Sequence, residues 1–158
     1  MILLLYRIKS NVPFILIGET GIGKTSLITK LNQIINNGEI LIEKIEIYPE
    51  ITDQIIYEKI KKINEKTNNQ KEELWLFFDN INTCKFLDII TEVFTNRTFL
   101  GEKLNKNIKI MGAGYPYRKS KVNREENIIL DKNENYSVYS VYPLPQSLFC
   151  YIFLFWIY

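Results

Sequence analysis

A doubly wound α/β fold, a parallel sheet with helices on both faces, is what three features of this chain predict. Residues 13–17 and 74–78 are short, wholly apolar runs, the pattern of strands buried on both faces of a parallel sheet. Apolar residues at helical spacing follow such runs, so strand and helix alternate along the chain. Between the first strand and the first of these helices lies the glycine-rich segment Gly18-Glu19-Thr20-Gly21-Ile22-Gly23-Lys24-Thr25. Ligands of a doubly wound sheet bind outside the carboxyl ends of its strands, and Gly18 and Asp79 both fall at such ends.

The elements are justified in order. Ile2-Leu3-Leu4-Leu5 is too short, before Arg7, for the core of a signal peptide. After the first strand and the glycine loop, Leu27, Ile28, Leu31, Ile34 and Ile35 mark a helix that Asn36-Asn37-Gly38 stops. Ile40, Ile42, Ile45 and Ile47 alternate with charged positions, with one slip at Glu43-Lys44, and predict a strand covered mainly on one face and closed by Pro49. Thr52 then offers a cap to a helix whose apolar stripe is Ile55, Ile56, Ile60 and Ile63, opposite Lys59, Lys61 and Lys62. Thr67-Asn68-Asn69-Gln70 reads as a polar linker into the strand 74–78, and Phe86, Ile90, Val93 and Phe94 mark the next helix.

Gly101, between Phe99-Leu100 and Leu104, predicts a hairpin ahead of a strand at 108–111. Residues 138–142 are expected to form the last strand, closed by Pro143 and Pro145. The run 147–158 is almost uniformly apolar, with Phe149, Tyr151, Phe153, Phe155 and Trp156. It is shorter than the roughly 20 residues of a membrane span, so no membrane role is expected. The expected domain is a core over 1–148, with 149–158 as an apolar tail whose end is truncated or misread.

The glycine segment fits the phosphate-binding pattern GxxxxGK[ST]. Glycines at 18, 21 and 23 free successive N–H groups to turn inward around phosphate oxygens, and the following helix adds its positive end. The cradle is expected to span Gly18, Glu19, Thr20, Gly21, Ile22, Gly23, Lys24, Thr25 and Ser26. Lys24 is placed to reach the outer phosphates, and the Thr25 hydroxyl to hold a Mg2+ ion bridging them. Asp79 ends an apolar strand, as does the aspartate that binds the hydration shell of that Mg2+. The ligand expected is a nucleoside triphosphate with magnesium. A mere glycine-rich surface turn explains neither flank of the loop nor Asp79.

With 158 residues there is room for one domain, and 46% hydrophobic content is ample for a packed core. The net charge of +2 gives no field that argues for nucleic acid; the basic stretch 117–124 reads as a solvated loop. Cys84 and Cys150 form no CxxC pair, so two free thiols in a reducing, cytoplasmic compartment are expected. The absence of histidine excludes histidine acid–base chemistry and most transition-metal sites.

Four runs in order, IGETGIGKTSLI, LWLFFDNINTC, NRTFLGEKLNKNIKIMGAGYPYRK and YSVYPLPQSL, together resemble the AAA+ units of the mysterin family, giant ATPases that are also RING-type ubiquitin ligases. More distantly they resemble the midasin and dynein branch. The resemblance implies a P-loop NTPase core of AAA+ type without its helical lid, binding ATP and Mg2+. It assigns Gly23, Lys24 and Thr25 to Walker A and Asp79 to Walker B, with Asn82-Thr83 following as in the relatives. Residues 112–118 match the sensor segment.

Two positions depart from that pattern. Asn80 stands where relatives carry the catalytic glutamate, and Tyr115 where they carry the sensor asparagine that positions water. The implied function is Mg-ATP binding with weak or absent hydrolysis, in a structural or regulatory unit partnered by other AAA+ units in cis or trans and by ubiquitin-pathway components. No cysteine and histidine cluster is present to support ligase activity. Arg97, Arg118 and Arg124 are candidates for reaching a neighbouring unit's phosphate, although surface arginine is the commoner explanation. An active motor remains an alternative if Glu92 or Glu102 reaches the site, and a P-loop small-molecule kinase is a second, lacking a clear arginine-rich lid.

Overall fold

In the computed structural model, which describes residues 2–70, 73–84, 87–117, 128–130 and 137–155, the chain begins with α1 (Ile2–Lys9), β1 (Phe14–Ile17), α2 (Lys24–Ile35), β2 (Ile42–Glu46) and α3 (Asp53–Gln70). It continues through β3 (Leu74–Asp79), α4 (Asp88–Asn96), β4 (Thr98–Phe99), β5 (Glu102–Lys103) and β6 (Ile108–Gly114). The last elements are β7 (Ile128–Leu130), β8 (Ser137–Ser140), a 3-10 helix (Gln146–Tyr151) and β9 (Ile152–Leu154). Five strands make one parallel sheet in the order β2-β3-β6-β1-β9. β6 therefore lies between the strand that leads into the glycine loop and the strand that ends in Asp79.

Side-chain alternation explains why the central strands are apolar throughout. Leu74, Leu76 and Phe78 of β3 pack in one cluster with Ile56 and Ile60 of α3 and Ile90 and Phe94 of α4. Trp75 and Phe77 face the other way, into a cluster with Ile28 and Leu31 of α2 and Leu4 and Ile8 of α1. Helices cover both faces, so neither set of alternate positions is left to be polar.

The opening segment forms a helix that its short apolar run did not announce. Leu4 and Ile8, four residues apart, are buried on one face. Arg7 ties this helix to the far end of the chain, donating to the carbonyls of Pro13 and Cys150, both at 3.1 Å, with its guanidinium 4.9 Å from the Phe153 ring centroid.

Three other differences from expectation have physical causes. Helix α3 continues to Gln70, through the presumed linker, because its polar residues find partners: Thr67 donates to the Ile63 carbonyl at 2.8 Å, and Asn64 accepts from the Asn105 amide at 2.7 Å. The helical stripes are narrower than predicted, with Ile34 61% and Ile55 36% exposed. Ser137–Ser140, overlapping the segment 138–142 expected as the last strand, pairs antiparallel with Ile128–Leu130 outside the main sheet.

The sheet is instead completed by Ile152–Leu154, parallel to β1 with Ile15 opposite Ile152 and Ile17 opposite Leu154. Leu148, fully buried, anchors the 3-10 helix in the α3/α4 cluster, and Phe153 meets Phe14 edge-on at 6.4 Å. Part of the run expected as a tail beyond residue 148 thus pairs with the sheet. Phe86, Trp156 and the basic stretch 118–124 lie outside the described residues.

The predicted hairpin is present as β4–β5. Leu100 (φ 48°) and Gly101 (φ 81°) hold consecutive left-handed conformations, as a two-residue hairpin turn requires.

Candidate nucleotide-binding site

The glycine loop joins β1 to α2 at the carboxyl end of the sheet. Gly21 (φ 79°) and Gly23 (φ 87°) adopt the left-handed conformation that other residues resist. Gly18 is constrained differently: a Cβ there would collide with Ile22 Cδ1 and with the carbonyl of Phe155. That carbonyl is fixed because Phe155 N donates to Ile17 O at 2.7 Å, so the end of β9 walls the entry to the loop. Glu19, Thr20, Gly21 and Ser26 are exposed at its mouth.

Lys24, the first residue of α2, is buried and donates to the carbonyls of Gly18 and Glu19, both at 2.8 Å. Burial pushes its pKa below the usual lysine value, against the opposing pull of Asp79 and Glu19. The folded chain therefore binds this proton less tightly than the unfolded chain does. Stability from this group rises with pH between the folded and unfolded pKa values. A bound phosphate reverses the balance by favouring the ammonium. ATP affinity is accordingly expected to fall as pH rises through the folded pKa of Lys24, measured by titration calorimetry; a flat profile there would show that the Lys24 ammonium does not meet the phosphates.

Thr25 Oγ1 donates to the Asp79 carboxylate, 3.3 Å from Oδ2 and 3.5 Å from Oδ1. Asp79 is 7% exposed and also accepts from the Asn80 amide at 3.1 Å. A hydroxyl and a carboxylate in contact beside a phosphate loop are the hard oxygen donors that Mg2+ takes, alongside water and phosphate oxygens. These residues fit Mg2+. Asp79 Oδ2 is also 2.8 Å from the Lys44 ammonium.

The two residues read from the sequence as departures from the family pattern meet each other. The Tyr115 hydroxyl donates to Asn80 Oδ1 at 2.8 Å, and the Tyr115 ring lies 4.8 Å from the Lys24 ammonium. Asn80 holds φ 58°, a left-handed conformation that asparagine tolerates better than most residues. Behind it Asn82, 1% exposed, fixes the arrangement. It accepts from Tyr115 N at 2.9 Å and donates to Tyr115 O at 2.8 Å and Tyr142 O at 3.3 Å. A Cβ on Gly114 would stand only 2.7 Å from Asn82 Oδ1, so the close approach needs glycine. Asn82→Ala would orphan backbone groups of the Tyr115 turn, at about 1–3 kcal/mol for each. It is expected to lower the urea midpoint more than any single exposed substitution in the loop.

The structure brings the whole segment from Gly18 to Ser26 to one end of the sheet, together with Asp79, Asn80 and Tyr115. It does not bring Glu92 or Glu102. Glu92 accepts from the Thr98 hydroxyl at 2.6 Å and from the amides of Leu100 and Gly101, both at 3.1 Å, and so holds the hairpin turn. The Thr98 hydroxyl first, then the Gly101 amide, keeps its carboxyl below the usual range. Glu102 accepts from the Tyr57 hydroxyl at 2.9 Å.

Arg97 is bound at the opposite end of the sheet, donating to the Ile108 carbonyl at 2.6 Å where β6 begins. Its burial pushes its pKa down. Arg118 and Arg124 lie outside the described residues. Sequence reasoning missed Lys44, Phe155 and the clamping role of Asn82. Only Lys44 left a trace, as the slip in the alternation of its strand.

A parallel sheet with an extra strand between the glycine loop and Asp79 defines a P-loop nucleotide-binding domain of the AAA class. The chain belongs to the RNF213 AAA domain family, whose model matches residues 1–118; RNF213 is also called mysterin. It is similar to the E3 ubiquitin-protein ligase rnf213-beta of Danio rerio, 32% identical over 167 residues, covering 90% of this chain and 3% of that protein. E3 ubiquitin-protein ligase RNF213 of Mus musculus is 33% identical over 122 residues, and that of Homo sapiens 30% over 122 residues. Each alignment covers 72% of this chain and 2% of the relative, so the chain spans a small fraction of the ligases it matches.

Among the described residues there is no cluster of metal-ligating side chains of three or more, and no helix long and apolar enough to cross a membrane. Cys84 is buried and Cys150 exposed, both as free thiols.

Proposed function

We propose that this chain is an ATP-binding AAA+ module that holds Mg-ATP with weak or absent hydrolysis. Its role is structural or regulatory, beside other AAA+ units in cis or trans, within a cytoplasmic protein related to the ubiquitin ligases it resembles. The observation that carries the reading is the hydrogen bond from Tyr115 to Asn80. An amide orients water but accepts no proton at neutral pH, and here its oxygen is already engaged by the phenol. Without a general base the chemical step loses on the order of 10²- to 10⁴-fold in rate, while the phosphate cradle is untouched.

An active motor is the weaker reading, because Glu92 and Glu102 are both engaged elsewhere. ATP affinity and ATP turnover measured on one preparation test the proposal. Binding with turnover far below ~1 per second supports it, and turnover at or above that typical enzymatic rate overturns it.

A further inference from the structure

Lys44 reaches Asp79 from the sheet edge. Parallel pairing of β2 with β3 sets Glu46 opposite Asp79 and Lys44 opposite Phe77. Ile45 packs in the α3/α4 cluster, so Lys44 projects to the other face, where Phe77 packs with α2 and where Thr25 meets Asp79. Its ammonium lies 2.8 Å from Asp79 Oδ2, with the lysine side chain 43% and the aspartate 10% exposed. A half-exposed pair of this kind adds little to folding. Its effect falls instead on the carboxylate that a magnesium ion would use.

Resting on the nucleotide-binding reading, we propose that Lys44 is a built-in cation of the site, so that Lys24 and Lys44 together hold a nucleoside triphosphate with little dependence on Mg2+. Lys44 competes with a divalent ion for Asp79 and lessens the negative charge that draws one to this position. The same ammonium and the Thr25 hydroxyl share one oxygen, Asp79 Oδ2, at 2.8 Å and 3.3 Å. Lys24 supplies a second ammonium, 2.8 Å from the carbonyls of the loop. A polyphosphate at the loop therefore meets cations of the chain itself, Lys24 at the loop and Lys44 at Asp79.

The test is calorimetric titration of ATP into the full chain, once with excess Mg2+ and once with excess EDTA, for the parent, Lys44→Met and Lys44→Arg. The parent and Lys44→Arg are expected to change Kd by less than about threefold on removal of Mg2+, and Lys44→Met to weaken by more than about tenfold in EDTA and recover in Mg2+. Equal Mg2+ dependence in the parent and Lys44→Met, whether strong or weak, overturns the proposal. Failure of the parent to bind ATP in either condition overturns the nucleotide reading itself, and the role of Lys44 with it. Thermal unfolding without nucleotide confirms that each variant is folded.

Discussion

Asn80→Glu combined with Tyr115→Asn is expected to raise ATP turnover by about 10²- to 10⁴-fold over the parent chain, the range that a positioned general base supplies. Neither single change should approach this. Asn80→Glu alone places a carboxylate beside Asp79, but the Tyr115 hydroxyl, now 2.8 Å from the Asn80 amide oxygen, is positioned to donate to that carboxylate and make it a poorer base. Tyr115→Asn alone frees the side chain of residue 80 and still leaves no proton acceptor. The gains are therefore cooperative, and a double-mutant cycle on phosphate release measures the excess over additivity.

The rescue also has a conformational cost. Residue 80 sits at φ 58°, where a glutamate is disfavoured by roughly 1–2 kcal/mol, so unfolding must be monitored beside turnover. Because AAA+ neighbours usually donate an arginine to the site, the comparison is between variants under identical conditions. Additive gains would show that the Tyr115–Asn80 contact has no part in suppressing hydrolysis.

The contrast between what the sequence reveals and what it hides follows interaction range. The loop from Gly18 to Thr25 and the strand ending in Asp79 are legible because local pattern determines them: glycines for left-handed turns, and a run apolar on both faces. The placement of β9 is not legible, since Ile152–Leu154 differs little in composition from its apolar surroundings. Its position is decided by pairing with β1, more than a hundred residues earlier. Asn68, read as linker, is misread for the same reason, because it accepts from the Asn105 side chain on the loop before β6.

The site shows this most clearly. Asn80 and Tyr115 are visible singly as departures from a family pattern, whereas their contact with each other is a property of the fold. Lys44 looks like a charged residue out of phase in its strand until parallel pairing brings it to Asp79.

Lys24→Ala is expected to abolish the stabilisation that ATP confers while leaving the free chain folded. Saturating ATP at a hundredfold excess over Kd should stabilise the parent by ~2.7 kcal/mol, because the nucleotide binds the folded state alone. For a chain of this size that is a rise in Tm of roughly 5–10 °C. The shift is expected to rest on Lys24, whose buried ammonium donates to two loop carbonyls and would exchange them for phosphate oxygens with nucleotide bound. In the free chain the effect of the substitution is small for a physical reason. Removing the side chain deprives the Gly18 and Glu19 carbonyls of a donor, but it also relieves the desolvation that depresses the lysine pKa. The two changes oppose each other, so Tm without nucleotide should move far less than the ligand-induced shift. Scanning calorimetry of both proteins, with and without ATP, separates the terms. An equal ATP-induced shift in parent and variant would mean that the nucleotide, if it binds, does not use this loop.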